Sequence, residues 1–550
     1  MKRVLLLFLS GLVLANIAMA FPRTSQAATA PRRPFPQHVT YASGSIRPSR
    51  FTQAQLDQHV RAYYDDWRQK FLVAAGTNSA GRAMYRVAFG IGSSATVSEG
   101  QGYGMMIVAL MAGHDANAQT LFDGLWYFSR NYPSGGDRRL MSWKIDNGQI
   151  VDGNNNAFDG DADIAYGLLL ADAQWGSTGS VNYLAEARTV IDGILAATVG
   201  PTSRLPMLGD WVSAGGTTHN QYTPRSSDFM PSHFRSYGRA TGNTVWNDVV
   251  ARSQTAITSV QNNYSATTGL LPDFMICTST ISCRPANAGF LEGPNDGAYY
   301  YNAGRDPWRL GLDALLNNNA TSRAQVQKMI NWLASSTGSN ATNIKAGYQL
   351  NGTPIGQYFT SFFVAPIGVG AMTDASKQGF LDSIYGSVYN RHESYFEDTV
   401  TLLCLLVMTG NYWDPSTTPP PPATNLALNK PATASSIEAS GLEPGKAVDG
   451  STTTRWASAE GVDPQWLRVD LGSTVDVRRV VLNWEAAYAR SYRVEISADG
   501  STWTTLYSTT TGDGGIDDLT VNGRGRYLRV YGTQRGTIYG YSLWELQAYS

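Results

Sequence analysis

Cysteine is scarce in this chain, with three in 550 residues, and none forms a CxxC pair. HExxH, a phosphate-binding glycine loop and a GxSxG elbow are absent as well. Zinc, nucleotide and serine-hydrolase chemistry therefore lose their usual sequence support. Charged residues make up only 15% and are balanced, 42 basic against 43 acidic. That removes the basic face which nucleic acid demands. Beyond the N-terminus no apolar run is long enough to span a bilayer.

What is present points outward. Met1, Lys2 and Arg3 give a positive start, Val4 to Leu14 an apolar run, and Ala18-Met19-Ala20 a small-x-small cleavage site. This reads as a secretory signal peptide over residues 1–20, with cleavage after Ala28 as the alternative. Export permits disulfides: Cys277 and Cys283 lie close enough in sequence to pair, while Cys404, in an apolar run, reads as a buried free thiol. Glycine, tyrosine, tryptophan, asparagine and threonine are plentiful, which suits neutral, hydrogen-bonding, stacking ligands such as sugars, although many secreted proteins share that composition.

The proline-rich stretch PSTTPPPP, Pro415 to Pro422, is extended and stiff and cannot join a packed helix. It divides the chain into a domain over 29–414, a linker over 415–424 and a second domain over 425–550. Before the linker the apolar period is helical: Leu56, Val60, Tyr63, Trp67 and Phe71 mark one face. Further helices are expected near 101–113, 115–132, 160–175, 181–199, 230–240, 244–264, 305–318, 320–337, 360–374, 377–391 and 395–410. Six helical hairpins from about twelve helices close into an (α/α)6 barrel, its mouth decorated by the glycine- and asparagine-rich connections 134–156 and 268–302. After the linker, short alternating runs at 466–471, 479–482, 492–496 and 527–531 predict a β-sandwich.

Two acidic segments stand out in the helical half. Thr96-Val97-Ser98-Glu99-Gly100-Gln101-Gly102-Tyr103 sets one carboxylate just before an apolar helix. In isolation Glu99 reads as a residue favoured by the helix dipole. The glycines around it admit a ligand to the backbone, and apolar neighbours raise a carboxyl's pKa by desolvation, as a general acid requires. Ala157-Phe158-Asp159-Gly160-Asp161-Ala162-Asp163 lacks the EF-hand spacing and terminal glutamate of a calcium loop; capping is its simplest reading, and a partner carboxylate for Glu99 the more specific one.

Over residues 50–413 these segments resemble glycoside hydrolase family 8, an (α/α)6-barrel family that inverts the anomeric carbon. The resemblance implies Glu99 as general acid and Asp159 as the residue that holds the distorted sugar and positions water. Phe158 and Gly167 depart from the family's signature without removing a catalytic group. A third segment, Tyr301-Asn302-Ala303-Gly304-Arg305-Asp306-Pro307-Trp308-Arg309, is similar to the family's YDAxRxPWR motif, but Asn302 stands where many members carry the basic aspartate. An amide cannot accept water's proton at neutral pH. One subfamily shares this asparagine and takes its base from a glutamate in the preceding loop; here that is Glu292, with Asp296 as the alternative. Arg305, Asn302, Asp228, His233 and Trp143 are the expected substrate-binding residues. Trp211, Tyr222, Phe229 and Tyr237 are stacking candidates that serve equally well as core.

Asn425 to Pro431, Asp449-Gly450, Thr454-Arg455-Trp456, Gln465-Trp466-Leu467 and Tyr541 to Leu546 resemble discoidin (factor 5/8 type C) domains, and within them family 32 carbohydrate-binding modules. The resemblance implies ligand-binding loops at Glu438, Arg455, Glu460, Glu485 and Tyr541, and a structural calcium at Asp449 and Glu545. Three glutamates around one sugar site suit a cationic sugar, which tilts the expected substrate toward chitosan over neutral β-glucan. The whole reads as an endo-acting, inverting hydrolase of a β-1,4-linked polysaccharide. No cofactor is expected in catalysis, and no nucleic-acid or membrane partner; the chain is expected to act as a monomer. An inactive carbohydrate-binding protein is the alternative that Asn302 leaves open.

Overall fold

The computed structural model describes residues 29–416 and 425–549. The expected signal peptide, and the expected linker beyond Ser416, lie outside the described residues. Among the described residues no helix is long and apolar enough to cross a membrane.

Twelve α-helices build the N-terminal domain among its described residues. They are α1 (Gln53–Phe71), α2 (Ser98–Leu110), α3 (Ala118–Asn131), α4 (Phe158–Trp175), α5 (Tyr183–Ala197), α6 (Pro231–Thr241), α7 (Val245–Asn263), α8 (Asp306–Asn317), α9 (Ala320–Ser336), α10 (Ser361–Ala371), α11 (Gln378–Val388) and α12 (Tyr395–Met408). The even-numbered helices pack each against the next, and α12 returns to α2, so they form a closed inner ring. Each odd-numbered helix from α3 to α11 follows an inner helix and backs it. The sixth pair differs from a simple hairpin: α1, first in the chain, backs α12, last in the domain.

Burial distinguishes the two layers. Helix α1 is amphipathic and buries Leu56, Val60, Tyr63, Tyr64, Trp67 and Phe71. Its start is set by a capping box in which the Thr52 hydroxyl accepts from the Gln55 N–H, and the Gln55 side chain accepts in return from Thr52, a device whose cap alone contributes about 1 kcal/mol. Two of the inner helices have no polar face: α10 is buried along its whole length, and in α2 every residue but Glu99 is buried. The long connections carry small sheets at the mouth. Thr96–Val97 pairs with Lys144–Asp146 and that with Gln149–Ile150. Met275–Cys277 pairs with Cys283–Pro285, closed by a Cys277–Cys283 disulfide. Cys404 is free and buried.

The C-terminal domain is an antiparallel β-domain around its own core of Trp456, Leu467, Val480, Leu482, Val494, Leu528 and Leu543. The runs at 466–471 and 479–482, expected as separate strands, belong to one bent strand, Gln465–Trp484, paired on both sides of an irregular stretch with an equally long Ile516–Arg535. Its buried positions are odd-numbered up to Val477 and even-numbered from Val480, and the change falls where the register shifts between Val477 and Arg479. The pairing also skips from Asp470 to Val475 across the exposed positions 472–474, which is why one continuous strand looked like two.

The tightest crossing in the barrel is that of α2 with α4. A Cβ on Gly102 would lie 2.7 Å from Asp163 Cβ and 2.9 Å from the Gly160 carbonyl, while one on Gly160 would meet Ser98 Oγ at 2.1 Å. This approach sets the starts of the two helices side by side. Gly102→Ala gains about 1 kcal/mol of helix propensity but forces two backbones apart. A net loss of roughly 1–3 kcal/mol is expected, read as a lower urea midpoint; an unchanged or raised midpoint would show that the crossing has slack.

Candidate active site

The candidate side chains come from the N-terminal ends of inner helices, where unpaired N–H groups favour negative charge. Glu99 lies in the first turn of α2 and Asp159 in the first turn of α4. Ser227 and Asp228 lie in a 3-10 turn ahead of α6, and Arg305 ends another ahead of α8. Arg305, only 1% exposed, joins them. Its Nη1 donates to Glu99 Oε2 (2.6 Å), Asp159 Oδ2 (2.9 Å) and Tyr103 Oη (3.2 Å). Its Nη2 donates to Ser227 Oγ (2.9 Å) and Asn302 Oδ1 (3.0 Å). Arg225 adds a second cation, with Nη1 3.1 Å from Asp159 Oδ2 and Nε 3.8 Å from Asp228 Oδ2.

This environment drives the two carboxyls apart. Burial pushes Glu99 up to about 7; Arg305 opposes the shift and the negative charge of Asp159 adds to it. Burial acts on Asp159 in the same sense, but Arg225 and Arg305 together outweigh it and hold Asp159 down at about 2. One carboxyl thus keeps its proton near neutrality while its neighbour stays ionised, the division that acid–base chemistry uses.

Asn302 connects this pair to the loop that precedes it. Because Arg305 donates to its Oδ1, its Nδ2 faces the other way, 2.8 Å from Glu292 Oε2 and 3.4 Å from Asp273 Oδ2. Glu292, exposed in its loop, therefore turns its carboxylate toward the site. Asp296 does not offer the alternative: it is buried, and its oxygens accept from the N–H groups of Leu291 (2.7 Å), Glu292 (3.1 Å) and Gly293 (2.9 Å). It shapes the turn that carries Glu292. Asp273 escaped the sequence reading. It is buried and accepts from the N–H groups of Tyr300 (3.1 Å), Asn302 (3.2 Å) and Ala303 (2.7 Å). Burial, aided by the charge of Glu292, nevertheless pushes it up to about 7. Its one signal was an acid inside the apolar run Leu270-Leu271-Pro272-Asp273-Phe274.

Two of the expected sugar contacts sit too deep. His233 is buried, bonded through Nε2 to Asp163 Oδ1 (3.0 Å) and stacked on Tyr166 with ring centroids 3.8 Å apart. It belongs to a layer beneath the site, where Arg309 holds both oxygens of Asp163 at 2.9 and 2.6 Å. Asp228 is fully buried, its carboxyl oxygens have no hydrogen-bond partner, and burial pushes it up to about 7 against the pull of Arg225. It lies behind Arg225 instead of facing a sugar. Trp143 is half-buried beside Glu99: its carbonyl accepts from the Ser98 N–H (2.8 Å), and its indole donates to the Asp152 carbonyl (2.9 Å). Trp211 is exposed, whereas Phe229 and Tyr237 are core.

In the C-terminal domain Glu438, Arg455 and Glu485 converge on Ser542. Arg455 Nη1 donates to Ser542 Oγ (2.8 Å) and lies 3.9 Å from Glu438 Oε2, while the Glu485 N–H donates to the Ser542 carbonyl (3.0 Å). The exposed Glu460 is on the adjoining loop, tied to the Glu438 loop by the Ala459 N–H to Ser436 Oγ (2.9 Å). Tyr541 is a correction: it is 2% exposed and its hydroxyl is committed to Asp463, so it supports these loops from within. Asp449 accepts from the Ser451 N–H (3.0 Å) and the Thr454 hydroxyl (2.9 Å), and Glu545 Oε1 from the Gly450 N–H (2.6 Å). Glu545 Oε2 is buried without a partner. These all-oxygen donors, one of them unsatisfied, fit a calcium ion.

A closed ring of inner helices with paired carboxylates at its mouth defines a barrel glycosidase. The sequence profile of Glycosyl hydrolases family 8 matches residues 52–410 and that of the F5/8 type C domain residues 431–546. The chain belongs to glycoside hydrolase family 8. It is 41% identical over 405 residues to a β-glucanase of Niallia circulans, covering 73% of this chain and 97% of that protein. It is similar to the structure of a β-1,3-1,4-glucanase from Paenibacillus sp. X4, with 42% identity, a TM-score of 0.67, and 70% of this chain and 100% of that one covered. A chitosan-binding module 1 from a chitosanase/glucanase of Paenibacillus sp. IK-5 is 63% identical over 23% of this chain and 99% of its own, with a TM-score of 0.23.

The split between the two carboxyls is open to direct measurement. Isotope-edited infrared titration is expected to find a glutamic acid losing its proton near pH 7 and absent in Glu99→Gln. In Asp159→Asn the same band should deprotonate at lower pH, because the neighbouring negative charge is gone and Arg305 has one fewer partner. A Glu99 band titrating at the ordinary value for a glutamate would contradict the assignment.

Proposed function

We propose that the chain is a secreted, inverting endo-hydrolase of a β-1,4-linked polysaccharide, chitosan foremost, carrying its own carbohydrate-binding module. The observation that carries the catalytic reading is the Glu99–Arg305–Asn302–Glu292 chain of contacts, with Glu99 pushed up to about 7 at one end and an exposed carboxylate at the other. In the proposed reaction Glu99 gives its proton to the glycosidic oxygen as the bond to the anomeric carbon breaks. Glu292 takes a proton from a water that attacks that carbon from the opposite face. Asp159, kept ionised, holds the distorted sugar and orients the water. Inversion requires room for that water, about 6.5–9.5 Å between the acid and the base, and the guanidinium and amide between Glu99 and Glu292 keep the two carboxyls from direct contact. Arg305, Asn302 and Trp143 are the proposed substrate-side contacts.

Chitosan is favoured by the module. Glu438, Glu460 and Glu485 on adjoining loops offer carboxylates to a protonated amino sugar, where charge-assisted hydrogen bonds exceed neutral ones. Arg455 fixes the Glu438 side of that site. Asp449 and Glu545 would hold a structural calcium that rigidifies the neighbouring loop. Neutral β-glucan is the second reading, supported by the β-glucanase names of relatives that share about 40% identity. The inactive-lectin reading loses its ground if Glu292 replaces the missing aspartate. Export rests on the expected signal peptide over residues 1–20.

Reducing-sugar release from chitosan, barley β-glucan and carboxymethylcellulose separates these readings; no release from any of them would favour the lectin. Glu99→Gln and Glu292→Gln should each lose roughly 10²–10⁴-fold in rate with substrate binding retained, and Asn302→Ala far less than Glu292→Gln. Azide should restore turnover to Glu292→Ala with a product of inverted configuration by NMR. Wild-type-like kinetics in Glu292→Gln would remove it from the mechanism.

Removing residues 416–550 should leave hydrolysis of short soluble oligosaccharides nearly unchanged and weaken action on insoluble polymer, since tethering raises local concentration. In the full chain, replacing Glu438, Glu460 and Glu485 together with glutamine should reproduce that loss on insoluble chitosan. If the triple variant retains full affinity for chitosan, the cationic-sugar argument fails.

A further inference from the structure

On the outer side of the barrel wall, the seam where α1 backs the start of α12 carries a second cluster of potential ligand side chains that the catalytic reading does not use. Asp66 projects from α1, His392 from the segment between α11 and α12, and Asp398 from the first turn of α12. Asp66 Oδ2, His392 Nδ1 and Asp398 Oδ2 all lie within 4.8 Å of one another. His392 Nδ1 is 3.1 Å from the Asp66 oxygen and 3.5 Å from that of Asp398. Two carboxylates therefore converge on one ring nitrogen, which has at most one proton to give.

Asp398 makes the arrangement unlike a surface ion pair. Its side chain is 1% exposed. Its Oδ1 accepts from the Glu393 N–H (2.7 Å) and, more weakly, from Tyr63 Oη (3.4 Å). Its Oδ2 is buried without a hydrogen-bond partner and faces the cluster. An unsatisfied buried carboxylate oxygen is costly, and a cation shared with Asp66 and His392 would satisfy it. The outer side is open, since Asp66 and His392 are each about one-third exposed, leaving room for water as a further ligand. Lys70 Nζ lies 2.6 Å from Asp66 Oδ2, one turn along α1, so a positive charge already sits at the cluster's edge. Tyr63 stacks on the His392 ring, with centroids 4.4 Å apart, and fixes its place.

The geometry points to a divalent metal site of the zinc class formed by Asp66, His392 and Asp398. One imidazole nitrogen with two carboxylates suits zinc and its first-row neighbours; calcium and magnesium prefer all-oxygen shells. The ion would join the first helix of the domain to the last, across the seam where the inner ring is backed by the opposite end of the chain. Its role there is to clamp the fold.

The test uses the full chain, freed of metal with a chelator that is then dialysed away. Zinc chloride is titrated by calorimetry, and thermal unfolding is followed with and without zinc. The expected result is saturable binding, with a higher unfolding midpoint in zinc. His392→Ala, a change at a partly exposed residue that leaves the core intact, should weaken the binding at least about tenfold and abolish the zinc-dependent rise. Asp398→Asn should do the same. Lys70→Ala, which removes the competing ammonium, should bind zinc more tightly than the wild type. Absence of saturable binding in the wild type overturns the proposal, and so does binding that is identical in His392→Ala.

Discussion

A buried guanidinium shared by two carboxylates is the interaction on which the catalytic mouth depends. Arg305 is almost wholly excluded from solvent, and a charge in that position without partners would cost several kcal/mol. It is satisfied only if α2, α4, the turn before α6 and the segment 302–305 all present their oxygens at once. The barrel's geometry and the site's electrostatics are thus a single constraint. Around Arg305, Arg225 and Arg309 lie Glu99, Asp159, Asp163, Asp228 and Asp273, more acids than the cations can neutralise. Burial therefore moves some of them up toward neutral pH. Asp159, touched by both Arg305 and Arg225, and Asp163, held through both oxygens by Arg309, are the ones held low, whereas Glu99, Asp228 and Asp273 are pushed up by burial.

That arrangement explains why α2 and α4 carry glycines near their starts. For Arg305 to reach Glu99 and Asp159 with the same nitrogen, α2 and α4 must approach until backbone meets backbone, which Gly102 and Gly160 permit. Gly167, a departure from the family's signature, falls on the same interface: a Cβ there would lie 2.9 Å from Met105 Cβ. In this chain the departure is a packing choice two turns below the chemistry. The outer helices need no such approach, and their single buried faces are what gave them away as periodic apolar stripes.

The sequence was most readable where one period or one motif reports one environment. The α1 stripe, the acids at the starts of α2 and α4, and the change from helical to alternating period after the prolines all had this character. It misled where a residue's chemistry was right but its depth was not. His233, Asp228 and Tyr541 are polar groups in segments that face a site, yet each side chain is itself buried, against Asp163, beside Arg225 and with its hydroxyl held by Asp463 respectively. Spacing alone cannot report such a turn. Asp273 was missed for the opposite reason: its partners are backbone N–H groups thirty residues ahead, which carry no side-chain signature. The bent strand Gln465–Trp484 was split in two because its pairing lapses and its alternation changes midway.

The asparagine at 302 is best understood from its two sides. Its Oδ1 faces a donor, the Arg305 guanidinium, and its Nδ2 faces two acceptors, Glu292 and Asp273. An aspartate at this position would keep the first contact but set a third negative charge against two carboxylates at hydrogen-bond distance, one of them buried. Either Glu292 would then swing away or one of the acids would take up a proton. An amide has the polarity that fits both neighbours at once, with its orientation fixed by Arg305. Asn302 and Glu292 therefore form one unit: the amide places no carboxylate on the floor of the site and, in the same step, donates to one that reaches in from the loop.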